Sequence, residues 1–300
     1  MQSVWNMAKL VYRTASLKLS DVPADHTADY NQAASSYDDF YSKYLGKKAT
    51  EMLDKTPMRE GGCVLDLACG TGFLSHPLAR RMGQNATVYA VDLSPGMLQR
   101  NKDKAAMMGI SNIKFIESDV LDYLSGLPDQ SIDGIICAWG ICYLSHDRFF
   151  KEAVRVLRSG GFIGLIENKT STLKGVSDLF RKALIDYPEA LVKNVSIDLP
   201  KDKEYLAKKA IKSGVHVQST WEGEVKIPCL SGREVLDYVV KSGAASGFLD
   251  SIDRPFYPRL TDAFIRYADM EFMKGHGIEV VHEYCALLGM KPSSARTANR

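Results

Sequence analysis

Acidic side chains follow three apolar runs of the chain, and a glycine-rich turn follows the first run. Asp66 lies within Val64–Gly72 (VLDLACGTG), Asp92 ends a second run 26 residues later, and Asp119 follows a third. A carboxylate just before a glycine turn disfavours a bound pyrophosphate and suits a ligand that carries an amine. A carboxylate at the end of the second strand can accept hydrogen bonds from both hydroxyls of a ribose.

The turn and its surroundings predict space for a flat, hydroxylated ligand. Gly70 and Gly72 allow backbone conformations and close approaches that a Cβ would block. Leu93 and Met97 offer apolar surface to a ring, and Asp119 can accept a hydrogen bond from an adenine amino group. Together these features predict a pocket for S-adenosylmethionine.

The elements that position these residues alternate regularly. Apolar runs predict strands over 62–67, 87–91, 112–117, 132–138 and 162–167, with helical periodicity between them. This order predicts an α/β fold of parallel βαβ units with helices on both faces of the sheet. Ligands of such sheets bind beyond the carboxyl ends of the strands.

The regular alternation of predicted strands and helices stops on either side of this region. We expect a helical segment over 1–60, the α/β core over 61–168, a substrate cap with sheet completion over 169–277, and a last strand with a tail over 278–300. A helix is predicted from Tyr30 to Leu53, and a turn at Ser159–Gly161. The Lys-rich run 201–212 is either a solvated helix face or a docking site for an acidic carrier protein.

Composition excludes several classes of function. The net charge of +2 provides no broad basic surface for nucleic acid, and 45% apolar residues exclude a largely disordered chain. No apolar run is long enough to span a bilayer. The six cysteines show no zinc spacing, so we expect no metal site and predict reduced thiols in the cytoplasm. Residues 1–20 carry three basic and no acidic side chains, which also leaves an organelle-targeting segment open.

Five segments in order resemble the motifs of the class I S-adenosylmethionine-dependent methyltransferases. They are Val64–Gly72, Tyr89–Leu98, Phe115–Asp119, Ser131–Leu144 and Val154–Glu167. The resemblance covers about residues 60–168, and it departs from the family pattern at Ala68, where glycine is common, and at Ser159, where proline is usual. The layout outside the core is similar to the malonyl-carrier-protein O-methyltransferases, and the ubiquinone/menaquinone C-methyltransferases are related.

The resemblance implies a Rossmann-like, mostly parallel seven-stranded sheet with a helical lid from the first segment and a mixed cap. It also implies that Asp66 and Gly70 face the methionine part of the cofactor, Asp92 holds the ribose, and Trp139 lines the methyl-donor end. The full set of expected cofactor-binding residues is Tyr37, Asp66, Ala68, Gly70, Gly72, Asp92, Leu93, Met97, Asp119, Val120 and Trp139.

The expected reaction is an in-line methyl transfer to a small organic acceptor, with an oxygen acceptor favoured and sulfur, nitrogen or carbon left open. Positioning alone can remove roughly 7–11 kcal/mol of such a barrier. His146 and Glu167 are the candidate general bases. Alternatively, His146 merely starts a helix and Glu167 accepts hydrogen bonds from loop amides.

The competing class of function is a descendant that binds the cofactor without methylating, such as a cyclase or a partner in a complex. Oligomeric state is not predicted.

Overall fold

Seven strands form one sheet in the computed structural model, which describes residues 2–20, 24–244, 246–273 and 279–293. The strands are β1 Gly62–Leu67, β2 Ala86–Asp92, β3 Ile113–Glu117, β4 Ile132–Ala138, β5 Leu157–Asn168, β6 His216–Ile227 and β7 Val280–Met290. Their order across the sheet is β3-β2-β1-β4-β5-β7-β6. The predicted tail falls largely outside the described residues, from position 294 onward.

The first five strands are parallel to one another, and β7 runs antiparallel to β5. The chain order reverses between β1 and β4, which are adjacent although β2 and β3 intervene in sequence. Ligands of open α/β sheets bind at such a switch point, beyond the carboxyl ends of the strands. The predicted Rossmann-like, mostly parallel seven-stranded fold is confirmed.

Helices connect most of the strands. In the described residues they are α1 Gln2–Ser20, α2 His26–Ala33, α3 Lys43–Lys55, α4 Ser75–Met82, α5 Pro95–Met107, α6 Val120–Gly126, α7 His146–Val156, α8 Lys174–Asp186, α9 Lys203–Lys212, α10 Gly232–Lys241 and α11 Tyr257–Met273. Several begin at a side chain that satisfies a free backbone N–H group. The Ser94 hydroxyl accepts from the Met97 amide, and Pro95 fills the first helical position of α5.

Two predicted elements differ from the structure. The single helix predicted from Tyr30 to Leu53 is divided into α2, a π-helical turn at Asp38–Ser42 and α3. The turn predicted at Ser159–Gly161 lies inside β5, because the ladder to β4 continues on both sides of a register shift. Gly160, with φ +80°, absorbs this irregularity without steric cost.

Helices cover both faces of the sheet. The face that carries Ile135 and Ile163 shares one apolar cluster with α6, α7 and α9. The opposite face carries Gly164, where an added Cβ would meet Met52 of α3. Glycine at this position therefore lets α3 approach the sheet closely.

The chain contacts divide into two compact units. One comprises 1–44, 171–197 and 224–283, and the other comprises 45–170, 198–223 and 284–300. Each unit combines segments that are distant in sequence, whereas the predicted division into 1–60, 61–168, 169–277 and 278–300 is consecutive and stays a prediction. Among the described residues, no helix is both long and apolar enough to cross a bilayer.

Candidate functional site

The loop that follows β1 is tied to the end of β2 by one carboxylate. The Gly70 amide donates to Asp92 Oδ2 at 2.7 Å, and the Ser94 amide donates to Asp92 Oδ1 at 2.9 Å. Burial raises the pKa of Asp92, and hydrogen bonds from these backbone amides counteract the shift. The Leu93 amide bonds to Asp92 as well, and since a carboxylate has about four lone-pair sites, Asp92 retains capacity for a ligand hydroxyl.

The two predicted glycines of this loop have different surroundings. Gly70 has φ +53°, and no atom lies within 4 Å of the position that a Cβ would occupy. Gly72 has φ +86°, and a Cβ there would collide with the side chains of Asn101 and His76. Gly70 therefore leaves open space for a ligand, whereas packing accounts for glycine at position 72.

Asp66 is buried beneath the loop. The Ser75 hydroxyl donates to Asp66 Oδ2 at 2.6 Å, and the side-chain Nδ2 of Asn101 donates to that hydroxyl at 3.1 Å. Burial raises the pKa of Asp66 to about 7, and the charge of nearby Asp92 adds to the shift. These contacts stabilise the loop from below, and a direct contact between Asp66 and the cofactor stays a prediction. The sequence analysis did not identify Ser75 and Asn101, because they come from two separate helices.

The predicted adenine-binding residues divide between surface and core. Leu93 is 52% exposed beside Asp92, whereas Met97 and Val120 are buried. Asp119 caps α6, since its Oδ1 accepts from the amides of Leu121 at 2.7 Å and Asp122 at 3.1 Å. Leu93 thus has surface to offer a flat ring, while the cap already accounts for Asp119 without a ligand.

Two non-glycine residues with left-handed backbone follow adjacent strands. Ala68 follows β1 with φ +53°, and Trp139 follows β4 with φ +62°. Such conformations cost free energy in a non-glycine residue and are concentrated at binding and active sites. The Trp139 amide donates to the Ile166 carbonyl at 2.8 Å. Its ring contacts Tyr284 edge-on at 6.0 Å, a residue that sequence reasoning did not assign to the site because β7 joins the sheet from far along the chain.

Ala68 also lies tightly against the loop after β4. A Cβ added at Gly140 would collide with the Ala68 Cβ, although Gly140 has a φ of −140° that alanine tolerates. We expect Gly140→Ala to destabilise the fold by about 1–3 kcal/mol, because both methyl groups are fixed to backbone. Ala68→Gly in the same chain should recover most of that loss in urea denaturation. If the changes in unfolding free energy of the two single variants simply add in the double variant, the contact between the two methyl groups is contradicted.

The two candidate bases lie below the surface. Glu167 Oε1 accepts from the Asn168 amide at 2.8 Å, and Oε2 accepts from the Cys142 amide at 3.2 Å. His146 Nδ1 lies 3.1 Å from the Tyr205 hydroxyl, and its Nε2 has no hydrogen-bond partner among the described residues. Burial lowers the pKa of His146. The general-base roles stay predictions, and the contacts of Glu167 instead support positioning of the loop after β4.

A positioning role for Glu167 has a pH signature. Burial raises its pKa to about 7 from an ordinary value of 4.5. The folded protein therefore holds this proton more tightly than the unfolded chain, so its contribution to stability is lost as pH rises from about 4.5 to 7. Between about pH 5 and about pH 8, the unfolding free energy of wild type should fall more than that of Glu167→Gln, as measured by urea denaturation. A difference that is constant across this range would refute the assignment.

Tyr37, the remaining predicted cofactor residue, belongs to the other compact unit. Its ring stacks on Tyr41 with centroids 5.0 Å apart and meets Tyr30 edge-on at 6.2 Å. It immediately precedes the π-helical turn at 38–42. Its role in cofactor binding stays a prediction.

Comparisons with known proteins identify the same region. A methyltransferase-domain model matches residues 64–161. The ubiquinone/menaquinone biosynthesis C-methyltransferase of Pseudomonas paraeruginosa is 28% identical over 176 residues, which cover 54% of this chain and 68% of that enzyme. Across several such C-methyltransferases, the chain spans about half to two thirds of the relative's length.

Two solved structures share the fold. The [4+2]-cyclase SpnF has a TM-score of 0.53 at 18% identity, with 83% of this chain and 82% of the cyclase covered. The geranyl diphosphate C-methyltransferase of Streptomyces coelicolor has a TM-score of 0.51 at 15% identity, with 82% and 79% covered. At these identities the likeness establishes the architecture alone, and one architecture hosts different chemistries.

Proposed function

We propose that this chain, which contains a class I S-adenosylmethionine-dependent methyltransferase domain, transfers the methyl group of that cofactor to a small organic acceptor. The observation that carries the proposal is the open space beside Gly70, bordered by the Asp92 carboxylate that anchors the loop. That arrangement suits a ligand whose adjacent hydroxyls donate to Asp92 and whose other atoms fill the space that a side chain at position 70 would occupy.

Each side chain around this space would have a separate task. Asp92 would accept hydrogen bonds from the ribose hydroxyls, and exposed Leu93 would cover one face of the adenine. Trp139, held by its left-handed backbone and by Tyr284, would border the methyl-donor end. The sulfonium supplies an already activated methyl group, so the protein's contribution is alignment of the acceptor and exclusion of water.

The acceptor atom is the finer part of the proposal. Glu167 and His146 are both buried, and Glu167 uses both oxygens to hold backbone amides. An acceptor that supplies its own nucleophile, such as a carboxylate or an enolate, needs no base from the protein. We therefore propose an oxygen of an acidic small molecule as the acceptor, with an enolate carbon as the alternative that the similarity to C-methyltransferases favours. A carrier-bound acceptor and a cytoplasmic location stay predictions.

The test is transfer from methyl-labelled S-adenosylmethionine to a panel of small carboxylates, enols, phenols, amines and thiols. A labelled product that mild base hydrolyses indicates a methyl ester and hence an oxygen acceptor. A product from a non-aromatic enol that survives both mild base and mild acid indicates carbon, because a methyl enol ether hydrolyses in acid. Cofactor binding by calorimetry with no labelled product from the panel or from cell extract would favour a non-methylating descendant. Failure to bind S-adenosylhomocysteine would overturn the proposal altogether.

A further inference from the structure

Helix α1 packs through one narrow face. Leu10 is buried, Leu17 is half-buried, and the Arg13 guanidinium donates to the Leu191 carbonyl. These positions recur at intervals of three and four residues, which places them on one side of a helix with 3.6 residues per turn. Asn6 and Thr14 are half-buried on the same side, and the remaining side chains that the structure describes from residue 4 to residue 20 are exposed.

The exposed side of α1 is apolar, in contrast to an ordinary surface helix. Apolar side chains occupy a sector of about 120° opposite the packed face. Val4, Trp5, Val11, Tyr12 and Leu19 are between 64% and 88% exposed. Ala8 and Ala15 fill the gaps between them. A contiguous apolar face of this kind indicates an interaction surface.

The charges of α1 indicate what covers that face. Lys9, Arg13 and Lys18 are its charged residues, and no acidic residue occurs from position 2 to position 20. Lys9 and Lys18 are exposed and flank the apolar sector, with the Lys9 ammonium 5.6 Å from the centre of the Trp5 ring. Cations beside an exposed apolar face suit an anionic lipid surface, where Trp and Tyr side chains favour the boundary between headgroups and acyl chains.

A groove of about 450 Å³ continues the apolar surface on one side of α1. Val11 and Ala15 border it from α1, and Phe180 and Leu184 border it from α8. The apolar area available to lipid is therefore larger than the helix face alone.

We propose that α1 lies flat on anionic membrane surfaces, with its apolar face inserted between the headgroups. This inference does not depend on the methyl-transfer reaction.

Flotation of the full chain with lipid vesicles tests the proposal without cofactor or acceptor. The protein should bind vesicles of equal parts phosphatidylcholine and phosphatidylglycerol, and bind pure phosphatidylcholine far more weakly. Lys9→Gln with Lys18→Gln should weaken binding to mixed vesicles about 30-fold, since each cation near an anionic surface contributes about 1 kcal/mol. Trp5→Ser with Tyr12→Ser should weaken it at least about 100-fold.

Matched controls exist on other surfaces of the chain. Met107 and Leu230 are 87% and 84% exposed, so Met107→Ser with Leu230→Ser removes similar apolar area elsewhere and should leave vesicle binding unchanged. Three results with vesicles would overturn the proposal: no binding to the mixed vesicles, equal binding by the Trp5→Ser/Tyr12→Ser protein, or equal loss in the control. A concentration-dependent dimer in sedimentation that Trp5→Ser/Tyr12→Ser abolishes would also overturn it, because a second copy would then cover the face.

Discussion

Asp92→Ala is expected to weaken the binding of S-adenosylhomocysteine by at least about 100-fold in isothermal titration calorimetry. A hydrogen bond from a ribose hydroxyl to a carboxylate is worth about 1.5–3 kcal/mol. The same change also frees the Gly70 amide, which now donates to Asp92 at 2.7 Å. Asp92→Asn keeps one acceptor oxygen and should lose less.

Glu117→Ala is the matched control for this experiment. Glu117 is the residue of β3 directly paired with Asp92, and its side chain is exposed. Its removal deletes a nearby negative charge without touching the loop. If both alanine variants lose affinity equally, the effect is general electrostatics and not a ribose contact. A folded Asp92→Ala protein with near-normal affinity would contradict the proposed cofactor site.

Gly70→Ala is expected to weaken the same binding about 10- to 100-fold, because its methyl group would occupy space that the cofactor needs. The fold has room for this methyl group, since nothing lies within 4 Å of its position. The left-handed φ of +53° adds a stability cost of roughly 1 kcal/mol. Thermal unfolding and calorimetry together separate the two effects.

Gly109→Ala controls for the backbone cost alone. Gly109 has φ +65°, equally open surroundings and a position just after α5, away from the loop. It should lose comparable stability and keep full affinity for S-adenosylhomocysteine. An equal loss of affinity in both alanine variants, or none in Gly70→Ala, would mean that the space beside Gly70 is not used by the ligand.

Local patterns in the sequence were sufficient to predict the parallel part of the sheet, and the edge at which a ligand binds stays a prediction. Apolar runs alternating with helical periods indicate parallel strands, and Asp92 stands at a strand end that topology turns toward the switch point. The immediate surroundings of each side chain depend on segments far apart in the chain. Burial of Asp66 under Ser75 and Asn101 is such a case, as is the contact of Trp139 with Tyr284.

The backbone conformation at Ala68 could not be predicted from the residue type either. Ala68 departs from the glycine expected from the family resemblance, and the change looks mild from the sequence. Its φ of +53° shows that the chain keeps a conformation suited to glycine while bearing a Cβ. For Glu167 the sequence left two roles open, and its buried oxygens accept from loop amides, as one of them requires, while the general-base role stays a prediction.

The position of β7 beside β5 has a consequence for synthesis of the chain. β5 ends at Asn168, but the strand that covers its second edge begins only at Val280. During translation, more than a hundred residues must emerge before that edge can be covered, and pairing over so long a separation is slow. An uncovered strand is a template for aggregation, so newly made polypeptide should depend on chaperones until β7 is released from the ribosome.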